Sequence, residues 1–177
     1  MSLHTNRWHE CINKTASISG RGRNKFRNSG KFKTEYIAEH YCKILLAPKH
    51  RSSLGKFRCG VAPIRIETGS YEHLVGHERL CQLCSLKAVE SEVDVLMHCN
   101  RYAILRQPLL DMDYTVNPNV INLNDTDKLC FVLTDPNMCR ISANACFDIL
   151  NSRICVNNVF IILSNYQRQL FISSFTV

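Results

Sequence analysis

The sequence predicts a mainly α fold: a small helical domain with an inserted cysteine-rich knuckle, preceded by a disordered basic arm. Three observations lead there. Apolar residues recur at spacings of three and four through most of the chain after residue 30. Cys81 and Cys84 form a Cys-x2-Cys pair, and Cys99 follows from a helical stretch downstream. Charge is divided unevenly: residues 1–60 hold thirteen Lys/Arg against three Glu, a net of +10, and residues 61–177 hold nine against twelve acids, a net of −3.

The arm is residues 1–30. Ser17-Ile18-Ser19-Gly20-Arg21-Gly22-Arg23-Asn24-Lys25 is rich in Gly, Ser and basic side chains and cannot supply a core. Residues 31–155 form the helical domain. A first helix is expected from about Thr34 to Leu46, with Tyr36, Ile37, Tyr41, Ile44 and Leu45 on one face, Thr34 as its N-cap and Pro48 as its stop. A second runs from Pro48 to Cys59 and is basic through Lys49, His50, Arg51, Lys56 and Arg58. Val61 to Glu67 alternates apolar and polar residues, which reads as a short extended piece, and Pro63 excludes a central strand.

The knuckle follows from Arg79. Helical periodicity returns near Glu90 with Val93, Leu96 and Met97, and a break is expected close to Cys99, where Asn100 can cap the next helix. Asn117-Pro118-Asn119 is a turn. Asp125 caps a short helix carrying Leu129, Val132 and Leu133. Asp135-Pro136 opens a helix to about Arg153, in which Cys139 and Cys146 read as buried small hydrophobes. Residues 156–177 form a tail with no clear period.

Two cysteines two residues apart can aim both sulfurs at one ion from a tight turn, with Zn–S distances of about 2.3 Å. Three cysteines leave the fourth tetrahedral position to Asp94, His98, His77 or water. The cofactor expected is one structural zinc ion. Ten cysteines without an apolar leader suit reduced thiols in an intracellular compartment, nucleus or cytoplasm. No stretch reaches the ~20 apolar residues of a membrane span. The basic side chains that would meet phosphates are Arg21, Arg23, Lys25 and Arg27 in the arm, and Lys49, Arg51, Lys56 and Arg58 in the second helix.

Taken together, Phe57 to Tyr71, Arg79-Leu80-Cys81-Gln82-Leu83-Cys84, Glu90-Ser91-Glu92 and Cys99-Asn100-Arg101-Tyr102 with Arg106 resemble the C-terminal zinc-binding region of reverse transcriptases from non-LTR retrotransposons. The resemblance runs from about Lys31 to Arg153. The family pattern is Cys-x2-Cys, then His, then x4 and Cys. Asp94 stands here at the histidine position. The polymerase itself needs clustered aspartates that hold two metal ions. Asp111-Met112-Asp113 and Asp125-Thr126-Asp127 lack the hairpin such enzymes use and read as capping and surface acids. The resemblance therefore implies a non-catalytic, retroelement-derived zinc-binding module, not an enzyme. The basic residues add weakly specific binding to RNA or DNA, and no membrane and no small-molecule substrate are expected. The alternatives are a non-functional retrotransposon remnant and a helical protein-interaction domain with structural zinc.

Overall fold

A computed structural model describes residues 28, 32, 33, 35 and 37–154. The arm residues Arg21, Arg23, Lys25 and Arg27 and the tail 156–177 lie outside the described residues. What is described is mainly helical. It comprises α1 (His40–Lys43), α2 (Pro48–Cys59), α3 (Arg65–Thr68), α4 (Ala103–Val116), α5 (Asp125–Thr134) and α6 (residues 139–154). Short 3₁₀ turns lie at Gly76–Glu78, Asn100–Tyr102 and Pro118–Asn122, and a π turn at Asp94–His98. Among the described residues the β structure is a single antiparallel bridge, Leu80 to Val89.

The first helix is shorter than its periodicity predicts. Thr34 and Tyr36 lie outside the described residues; among the described residues of the stretch only the turn His40–Lys43 is helical, and Ile44 and Ala47 are extended (ψ 156° and 140°). The ring of Pro48 disfavours α backbone at Ala47. Arg51 donates to the Ile44 carbonyl at 3.1 Å and so holds it outside a helix. Ile37 and Leu45 are exposed as a result, and the expected apolar face does not form.

α2 has the bounds its punctuation dictates. Pro48 sits at its first position, where a missing N–H costs nothing. Gly60 ends it at φ 73°, and Val61 and Gly60 donate back to Lys56 and Phe57. Leu54 and Phe57 are fully buried and face Leu129, Val132 and Leu133 of α5 in one core cluster, which α6 completes with Ala143, Cys146 and Ile149. Cys139 and Cys146 are buried, as their place in an apolar stripe implies.

The stretch from Val61 to Glu67 is not extended throughout. Ala62 and Ile64 are buried, but residues 65–68 close into the helical turn α3. The reason is a distant acceptor. Glu90 Oε2 accepts the Arg65 N–H at 2.7 Å, and the Glu90 carbonyl accepts that of Ile66 at 3.0 Å. These are the orphan donors of a helix start.

Asn124, not Asp125, caps α5. Its side-chain oxygen accepts the Asp127 N–H at 2.9 Å, and its amide donates to Asp127 Oδ2 at 2.8 Å. Replacing Asn124 by alanine is expected to lower stability by about 1 kcal/mol in urea unfolding, and Asp125→Ala by less. Asp113 also departs from expectation. It is buried on α4, and burial raises its carboxyl above the usual range.

Candidate metal centre

The knuckle is a loop closed by the Leu80–Val89 bridge. Cys81 N–H donates to Ala88 O at 2.8 Å, and Glu90 N–H to Arg79 O at 3.0 Å. Lys87 turns the chain with φ 50°. Arg79 braces the loop from outside, donating from Nε to Leu74 O at 3.0 Å and from its terminal nitrogen to Ile66 O at 2.6 Å. Cys81 and Cys84 therefore leave a fixed turn on the same side.

Cys99 arrives from the π turn. Its N–H bonds to the Asp94 carbonyl, five residues back, at 2.7 Å. The helical path then breaks at Cys99 itself (φ −55°, ψ 117°). Adjacent side chains on a helix point about 100° apart, and here they stay apart. His98 points outward and meets Asp125 Oδ2 at 2.9 Å, whereas Cys99 is fully buried. Arg106 holds the break from below by donating to the carbonyls of Cys99 and, at 3.1 Å, His98. Asn100 does not cap α4; its amide reaches Ser85 Oγ at 3.5 Å and ties the break to the knuckle.

The result is convergence of Cys81, Cys84 and Cys99, whose sulfurs all lie within 4.8 Å of one another. Cys81 and Cys99 are 3.9 Å apart and buried, and Cys84 is half-buried on the solvent side. Such a cluster can hold a metal ion. Burial raises the thiol pKa of both Cys81 and Cys99. Backbone N–H groups act in the opposite sense, Leu83 on the Cys81 sulfur and Arg101 on the Cys99 sulfur. Hydrogen bonds to the charged form favour thiolate, and a bound cation reverses the burial penalty outright.

Asp94, His98 and His77 bring no ligand atom into that cluster. Asp94 is buried, and its Oδ2 has no hydrogen-bond partner among the described residues. Its carboxyl is held above the usual range by burial and by the nearby Glu90 charge, against His98 and Arg106. His98 is committed to Asp125, and His77 is exposed in a 3₁₀ turn.

Glu90, read in the sequence only as part of an acidic stretch, stands beside the cluster. It is fully buried, and its Oε1 is 3.6 Å from the Cys81 sulfur. The same oxygen accepts from Arg153, which also donates to the Tyr102 hydroxyl at 2.8 Å. The Cys81 thiol is the donor in the first of these bonds. Metal binding requires thiolate, so it would release that proton and leave Oε1 to Arg153.

The basic side chains of α2 divide. Lys49 and Lys56 are exposed, and Arg51 is half-buried and bonded to the Ile44 carbonyl. Arg58 is a correction to the expected phosphate face. It is 5% exposed, donates to the Leu133 carbonyl and pairs with Glu39 at 2.6 Å, with the Tyr41 ring 5.2 Å from its guanidinium. A buried guanidinium with this many partners is a structural tie between α2, α1 and α5. No helix among the described residues is long and apolar enough to cross a membrane. Comparison with family models, curated proteins and solved structures finds no match to this chain.

Proposed function

We propose that this chain is a non-catalytic zinc-binding module of retroelement origin that binds nucleic acid through its basic residues. The convergence of three sulfurs from a closed turn and a π turn carries the reading. Zinc suits a sulfur-only set that is closed on its core side, and water entering beside Cys84 completes the tetrahedron. The ion's work is to join the knuckle to the start of α4. The backbone ties that hold the three sulfurs between the closed knuckle and the start of α4 support a structural role, with the fourth ligand entering beside the half-buried Cys84. Nucleic acid follows from the net charge of +10 in residues 1–60 and from the exposed Lys49 and Lys56. The resemblance to the zinc-binding region of non-LTR reverse transcriptases agrees with the metal half of the reading.

Elemental mass spectrometry of the purified chain is the test. About one zinc per chain is expected, with none in Cys81→Ser. Soluble, folded protein without zinc would sink the metal half and leave a helical remnant. The nucleic-acid half predicts affinity that falls steeply with salt, with a slope near −0.9 per phosphate contacted on duplex DNA. No binding to duplex or single strand at low salt would end it.

A further inference from the structure

We propose that the groove between α2 and α6 is the site where this chain takes single-stranded nucleic acid, with a base seated on Phe147 and phosphates on Lys49 and Lys56. The inference rests on the nucleic-acid reading above and assigns it to a place. The groove has a volume of about 370 Å³. Its walls come from the outer faces of the two helices, and its floor is apolar, built from Phe147, Leu150 and Ile154.

The charge on its rim is of one sign. Lys49 and Lys56 line the groove, Ser52 and Asn151 add neutral polar groups, and no acidic side chain among the described residues lines it. The two lysines are exposed and seven residues apart, so they lie on the same side of α2, about 10 Å apart along its axis. Their charges are solvated, and no ion pair engages either of them among the described residues. A polyanion following α2 would meet both.

Phe147 provides what a lysine face lacks. Its ring is half-buried in α6, and the His50 ring meets it at a centroid distance of 4.4 Å and an interplanar angle of 61°. That edge contact fixes the phenyl ring against α2 while the groove opens beside it. Aromatic rings flanked by cations bind single strands because every base has a face to stack, whereas a duplex has its bases stacked on one another already. Asn151, exposed on α6 one residue from Leu150, can hydrogen-bond the edge of a seated base. An acidic peptide would use the two lysines but would gain little from the ring.

The test uses the full chain and a fluorescein-labelled oligothymidylate, read by fluorescence anisotropy across a range of sodium chloride. Lys49→Glu with Lys56→Glu alters exposed positions only. It is expected to weaken binding at least about ten-fold and to make the salt slope shallower by about 1.4, the value for two phosphate contacts on a single strand. Phe147→Leu keeps an apolar floor and removes the stacking face; about five-fold or greater loss is expected, with the slope unchanged. Circular dichroism checks that each variant folds, and the charge reversal alone decides if Phe147→Leu does not. Wild-type binding that neither variant weakens would overturn the groove and leave the nucleic-acid reading standing on the arm. Tighter binding to a duplex, with Phe147→Leu unaffected, would overturn the single-strand assignment. No binding of wild type to any nucleic acid would overturn both.

Discussion

Glu90→Ala is expected to lower unfolding stability by roughly 3–5 kcal/mol, a large part of the 5–15 kcal/mol that holds an ordinary domain. The side chain is fully buried, and truncation strands what it serves. Arg153, 12% exposed, loses its carboxylate, and the Arg65 N–H loses the acceptor that starts α3. A largely buried guanidinium without an anion is the larger of these losses, because the Tyr102 hydroxyl that remains to it is neutral. Urea unfolding measures the effect, and the thermal midpoint should fall by about 10 °C or more. The double variant Glu90→Ala with Arg153→Met separates the causes. If stranded charge dominates, the double variant is more stable than Glu90→Ala alone. A loss under about 1 kcal/mol in the single variant would show that the pair is dispensable.

Cys99→Ser should abolish zinc binding and make the protein indifferent to chelators. In wild type, an ion present at about a thousand times its dissociation constant adds about 4 kcal/mol to stability. A chelator should remove that amount from wild type and nothing from the variant. The dependence on pH has a definite sign. Protons compete with the metal for sulfur, so the chelator-sensitive part of stability is present at neutral and higher pH and is lost as the solution is acidified. Burial, which raises the thiols of Cys81 and Cys99, strengthens the proton's side of that competition in the metal-free chain. Calorimetry with and without chelator checks the result. A wild-type midpoint that a chelator leaves unmoved would remove zinc from the account of this fold.

What local chemistry decides was legible in the sequence. Pro48 and the stop after Cys59 bound α2, and the Cys-x2-Cys pair with Cys99 marks the sulfur cluster. The break near Cys99 was also visible, because Asn100 offered a cap for a new helix there, although in the structure Asn100 bonds Ser85 instead. The missed features depend on partners far along the chain. Glu90 and Arg153 are 63 residues apart, and Arg58 reaches a carbonyl 75 residues away. Nothing beside Glu90 or Arg58 signals burial, so one read as part of an acidic stretch and the other as part of a basic face. Asp94 was singled out by its match to a histidine position, yet its carboxylate lies outside the sulfur cluster. The first helix failed for a nearer reason: the periodicity of residues 36–45 is helical, but Pro48 and the Arg51 side chain hold residues 44–47 extended.

The π turn at Asp94–His98 has a consequence for how this region tolerates changes in length. A π turn closes its hydrogen bond over five residues where an α turn closes over four, so it amounts to a helix with one residue inserted. Deleting one residue between Val95 and Met97 would let the segment relax to ordinary α geometry. The Cys99 N–H would keep the Asp94 carbonyl, now four residues back, so Cys99 would hold its place in the cluster. What the deletion removes is the fully buried Leu96 side chain. The spacing from Cys84 to Cys99 can therefore shorten by one residue at this turn without moving the sulfur, and the cost falls on core packing instead.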